Sequence, residues 1–121
     1  MGQPVVHWEL WSKDPEKTSD FYVRAFGWSV KSMPGMDYWV TETGGKGGIN
    51  GGIMKPKGDG PWPGNMAFYI DVPNIEAAFE RVKLAGGAVV APPQAIPGMG
   101  RYALFSDTDG RVMGLWETAA K

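Results

Sequence analysis

Cysteine is absent from this chain, and histidine occurs once, at position 7. The first absence excludes disulfides, thiol nucleophiles and thiolate-bound zinc together. The second means that any imidazole chemistry uses His7. No apolar run approaches the length of about 20 residues that crosses a bilayer. The opening Met1-Gly2-Gln3-Pro4 lacks the basic segment and apolar stretch of a secretory leader. No block of one charge sign is present either. The 12 Lys+Arg nearly balance the 13 Asp+Glu, so neither nucleic acid nor an anionic membrane is an expected partner. What these absences leave is a soluble, cytoplasmic domain, and 121 residues at 43% hydrophobic content suffice to close one core.

Glycine and proline are plentiful instead, at 18 and 10 residues without a low-complexity tract, so they punctuate many short elements. Six tryptophans supply more flat apolar area than a small core needs, which points to a lined cavity.

The chain says nearly the same thing twice. Val5-Val6-His7-Trp8-Glu9-Leu10-Trp11 has a fainter copy in Asn65-Met66-Ala67-Phe68-Tyr69-Ile70-Asp71-Val72, at an offset of 65 − 7 = 58. At that offset Phe21 maps onto Phe79; further along the offset widens, and Pro34-Gly35-Met36 recurs as Pro97-Gly98-Met99 at 97 − 34 = 63. Residues 5–11 alternate as a strand. Asp14 as N-cap, Pro15 at the first helical position and Gly27 past the end mark a helix. Strands are predicted near 28–32, 37–43 and 49–54, with Gly44-Gly45-Lys46-Gly47-Gly48 as a flexible connection. Residues 55–64 read as a linker. A second strand at 65–71, a helix over 74–85 and strands at 88–91, 101–106 and 111–117 follow. Pro92-Pro93 are expected to break the chain, and Asp107-Thr108-Asp109-Gly110 to form a tight turn.

Each half therefore reads β-α-β-β-β, near residues 1–57 and 62–121, within a single domain. The expected class is α+β: two paired modules with helices outside and curved mixed sheets forming a trough. Strand parity puts His7, Glu9 and Trp11 on the trough face of one module, and Asn65, Ala67 and Tyr69 on that of the other.

Paired β-α-β-β-β modules, with His7 in the first strand, Phe21-Tyr22 before Phe26-Gly27-Trp28, Ser106-Asp107-Thr108-Asp109-Gly110 and the closing Gly114-Leu115-Trp116-Glu117, resemble the vicinal oxygen chelate superfamily. That superfamily includes glyoxalases, extradiol dioxygenases and bleomycin resistance proteins. The resemblance covers essentially the whole chain and is closest to a glyoxalase-like branch. It implies a trough that holds a divalent metal in the enzymes. Carried over, the first-strand ligand is His7, the matching position of the second module is Asn65, and the last-strand Glu is replaced by Gly114, with Gly51 as its counterpart. One ligand of the set survives. A metal site needs about three good donors, so the expected cofactor is none and the metal site is degenerate.

His7 and Glu9 stand two residues apart on one strand face. The pair reads either as a general acid/base couple, the carboxylate raising the imidazole pKa, or as a satisfied polar pair orienting a cavity. Asn65 and Tyr69 add hydrogen-bonding groups. Trp11, Trp39 and Trp116 offer flat walls, and Arg101 an anchor for an anion or a partner for a surface carboxylate. Gly51 and Gly114 leave space. The expected function is metal-free binding of a planar or partly apolar small molecule by a homodimer. Its alternatives are a metal-dependent lyase, isomerase or dioxygenase of the glyoxalase type, and a metal-free acid/base enzyme using His7 and Glu9.

Overall fold

Two helices and eight strands follow one another twice in the order β-α-β-β-β, in a computed structural model that describes residues 2–58 and 63–119. The first run is β1 (Val5–Trp11), α1 (Pro15–Phe26), β2 (Ser29–Met33), β3 (Tyr38–Glu42) and β4 (Gly51–Met54). The second is β5 (Met66–Asp71), α2 (Ile75–Leu84), β6 (Ala88–Ile96), β7 (Gly100–Ser106) and β8 (Val112–Thr118). The class is α+β, as the alternation and helix punctuation predict. Within the linker expected at 55–64, Asp59, Gly60, Pro61 and Trp62 lie outside the described residues.

The helix starts are set by side-chain caps. Asp14 Oδ1 accepts from the Lys17 N–H at 3.2 Å, and Asn74 Oδ1 from the Ala77 N–H at 2.8 Å. Gly27, at φ 72°, ends α1 by donating its N–H to Val23 O. The two N-caps are 74 − 14 = 60 residues apart, so the helices repeat at 60 and not at 58. An offset of 60 carries His7 onto Ala67, and Asn65 falls one residue before β5.

Pro92-Pro93 do not break the chain. β6 runs through them, with register shifts between Val89 and Ala91 and between Ala91 and Gln94. Pro92 and Pro93 both lie inside the shift between Ala91 and Gln94, where neither has a register partner in β7, so their missing N–H groups break no ladder pair.

The chain forms two compact units. One is His7–Met66; the other joins the chain up to Val6 with the chain from Ala67 on. The division falls inside β1. Pro4 O accepts from Asp71 N–H at 2.9 Å in one unit, whereas Trp11 N–H donates to Asn65 O at 2.9 Å in the other.

In the His7–Met66 unit the strand order is β2-β3-β4-β1, antiparallel except for the parallel pair β4/β1. Ile53 and Thr41 are fully buried there. Trp8 packs on Trp28, which stacks on Tyr22 of α1 at 4.7 Å. In the other unit the order is β5-β8-β7-β6, with β5/β8 parallel. Its core sets Val72, Ile75, Ala78, Phe79, Ala103 and Leu115 together, so Leu115 and Ala103 face α2.

Candidate functional site

The strand alternation of β1 sends Trp8 toward α1 and sends His7 and Glu9 to the opposite face. On that face Glu9 lies beside Gly52 of β4, which pairs onward with Val40 of β3. Tyr38, two residues before Val40, leans over the same surface. A Cβ at Gly52 would run into the Tyr38 ring and hydroxyl. Glycine at 52 is what lets that phenol reach the two β1 side chains.

Three polar groups converge as a result. The Tyr38 hydroxyl lies 2.7 Å from His7 Nε2 and hydrogen-bonds to Glu9. The Glu9 Oε2 is 3.9 Å from His7 Nε2. Glu9 is buried at 7% exposure, and the His7 side chain is about one-third exposed. A phenol has one proton to give. When Tyr38 donates to the Glu9 carboxylate, its oxygen accepts from the His7 Nε2–H, and Nδ1 becomes the basic nitrogen.

Burial pushes the Tyr38 phenol well above its ordinary value, and the Glu9 charge and hydrogen bond push the same way. Tyr38 is therefore a fixed, neutral donor. Burial also lowers the His7 pKa below 6.5. This corrects the upward shift expected from the His7–Glu9 spacing: the carboxylate stands 3.9 Å off and is shared with Tyr38, so desolvation of the imidazolium prevails.

The other expected site residues separate by face. Trp39 pairs with Ile53 and belongs to the α1 side, away from His7 and Glu9. Trp11 lines a shallow cleft at the β1–α1 junction, together with Asn65. In the other unit Tyr69, Gly114 and Trp116 lie on the face away from α2.

Gly114 leaves no space. A Cβ there would meet the buried Tyr69 ring, and one at Gly51 would meet the Trp8 ring. Both positions are filled by aromatic rings, so the open space expected at them is absent.

Arg101 pairs with Glu117 on the α2 side. Its guanidinium donates to both Glu117 oxygens at 2.9 and 2.7 Å and to both Glu76 oxygens at 2.9 and 2.7 Å. Glu117 Oε1 also accepts from the Ile75 N–H at the start of α2. Hydrogen bonds from Arg101 hold the Glu76 carboxyl down to about 2. The guanidinium is thus committed to two carboxylates, the pairing reading of Arg101.

Tyr38 is the residue that sequence reasoning missed. Its only signal is parity: counting β3 back from a register with β4 places it over Gly52, and that register is set by folding.

The sequence profile of the Glyoxalase/Bleomycin resistance protein/Dioxygenase superfamily matches residues 5–113. The chain belongs to this superfamily. This glyoxalase-superfamily chain is 30% identical to the anthracycline biosynthesis protein DauV of Streptomyces sp. strain C5, over 89% of the chain and 44% of that protein. It is 32% identical to CFP32 of Mycobacterium tuberculosis, over 92% of the chain and 42% of that protein. The chain spans less than half the length of these relatives. Among solved structures, a glyoxalase/bleomycin resistance protein/dioxygenase superfamily member from Vibrio splendidus superposes with a TM-score of 0.67 at 18% identity, covering 96% of this chain and 99% of that one.

Resemblance to the superfamily's metal enzymes raises a divalent ion as a candidate cofactor, and the donors present do not fit one. Among the described residues no three of His, Cys, Asp and Glu stand as a group. His7 and Glu9 form a pair only, and the strand position beside Glu9 is Gly52, covered by a phenol whose proton is held.

Proposed function

We propose that this glyoxalase-superfamily domain binds a planar, partly apolar small molecule without a metal ion, the ligand's polar edge meeting His7, Tyr38 and Glu9. The observation that carries this reading is the seating of Tyr38 on Gly52. It joins the three groups through hydrogen bonds of the Tyr38 hydroxyl before any ligand arrives, so little ordering cost remains at binding. The exposed part of His7 is the side open to a ligand. A relative named for anthracycline biosynthesis supports a flat, oxygenated ring system as the ligand class.

The same chain of hydrogen bonds favours a second reading, metal-free acid/base catalysis. With Tyr38 donating to Glu9, the His7 imidazole is neutral at pH 7 and its Nδ1 is the proton acceptor, and a proton leaving a bound substrate passes to that nitrogen.

A titration with 1,8-dihydroxyanthraquinone, a neutral planar probe, tests the binding reading. Saturable quenching of tryptophan fluorescence is expected. His7→Ala and Tyr38→Phe should each weaken binding by about three- to tenfold, the worth of a hydrogen bond. Affinity untouched by both substitutions would refute the reading.

A further inference from the structure

A shallow cleft of about 510 Å³ opens at the junction of β1 and α1, and His7, Tyr38 and Glu9 are not among its lining residues. Its apolar wall is Leu10, Trp11, Tyr22 and Met66. The Tyr22 ring is held rigid by its stack on Trp28, 4.7 Å between centroids and 9° between planes. Lys13 and Lys17 stand on the rim, both exposed. Among the described residues neither has a carboxylate within ion-pair distance, in contrast to Arg24, Lys57, Lys83, Arg101 and Arg111.

The remaining polar groups are already occupied. Ser12 Oγ and Thr18 Oγ1 hydrogen-bond to each other at 2.8 Å. Asp14, the one carboxylate of the lining, is turned onto the Lys17 N–H as the N-cap. The first turn of α1 is therefore capped by its own side chain, and the charge available to a ligand is that of the two ammonium groups. The backbone around the cleft is tied down as well, Ser12 N–H donating to Met54 O at 2.8 Å and Trp11 N–H to Asn65 O at 2.9 Å. The volume suits a small organic molecule.

We infer that this cleft is a second ligand site, taking a small aromatic carboxylate whose ring lies against Trp11 and Tyr22 and whose carboxylate meets Lys13 and Lys17. Flat walls select a ring, because stacked aromatic faces contribute beyond buried area. Two unpaired cations and one turned-away carboxylate leave a net positive rim, which selects a single negative charge. A neutral ring of the same shape keeps the stacking and loses the charge contact.

Naphthalene-2-carboxylate is the probe, titrated into 15N-labelled protein beside naphthalene-2-methanol. Saturable amide shifts are expected at Trp11–Asp14, Glu16–Thr18, Tyr22, Asn65 and Met66. The carboxylate should bind about fivefold more tightly than the alcohol, a preference that exposed ion pairs can supply. The double variant Lys13→Glu/Lys17→Glu, altered only at exposed positions, should abolish that preference while its amide spectrum stays dispersed. No saturable shift, equal affinity for acid and alcohol, or a preference unchanged in the double variant would each overturn the site. Shifts centred on His7 and Tyr38 would overturn it too, and would leave the reading of those residues standing.

Discussion

A single imidazole makes His7 unusually easy to interrogate, since no other side chain titrates in the same range with an unshifted pKa. Burial lowers its pKa in the folded state below the 6.5 of the unfolded chain. The unfolded state then binds more protons between those two values, so the contribution to stability is fully present above pH 6.5 and is lost as the pH falls toward the folded pKa. Melting temperature should decline from pH 7 to pH 5 in the wild type, and His7→Gln should flatten that decline. A proton NMR titration of the His7 ring giving a pKa above 6.5 would contradict the burial argument.

At the scale of elements, two strand pairs depend on glycine for the approach of an aromatic ring. Tyr38 covers Gly52 across β3 and β4, and Tyr69 covers Gly114 across β5 and β8. A single methyl group at either position collides with a ring, and Tyr69 is held in a buried setting. Gly52→Ala and Gly114→Ala should each cost about 1–3 kcal/mol in urea unfolding, the range for overpacking a filled site. Gly52→Ala should also displace the Tyr38 hydroxyl from His7, moving the His7 ring signals, while Gly114→Ala leaves them in place. Both variants at wild-type stability would mean that the rings swing aside at no cost. The glycine repeats were legible in the sequence, but their occupants were not. A missing Cβ looks like a vacancy until the register shows which ring stands opposite.

For the molecule as a whole, the donor inventory governs metal content. Among the described residues His7 and Glu9 are not joined by a third metal-ligating side chain, and the position beside Glu9 is Gly52, covered by the Tyr38 ring. Protein prepared without a histidine tag should carry far less than one equivalent of zinc, nickel or manganese by elemental analysis, and EDTA should leave its melting temperature unchanged. Stoichiometric metal that disappears in His7→Ala would move the assignment to a metal-dependent enzyme. Light scattering on the same sample tests the proposed homodimer, a reading to which the exposed Phe21 and Phe26 lend support, at 54% and 64% exposure. A monomer mass would remove it.

The double β-α-β-β-β plan, the cap at Asp14, the stop at Gly27 and the joint presence of His7 and Glu9 on one strand face were readable in the sequence, because each depends on residues near one another along the chain. Pairing register was not, because it is settled by contacts between segments far apart in sequence. Register brought Tyr38 onto Gly52 across 52 − 38 = 14 residues, and onto His7 across 31. It set Arg101 beside Glu117 on the α2 side, where two carboxylates take up its charge. The helix caps, for their part, repeat at 60 and not at 58, which takes Asn65 out of the place matched to His7. Local spacing determined which groups this protein owns; long-range strand pairing decided which of them meet.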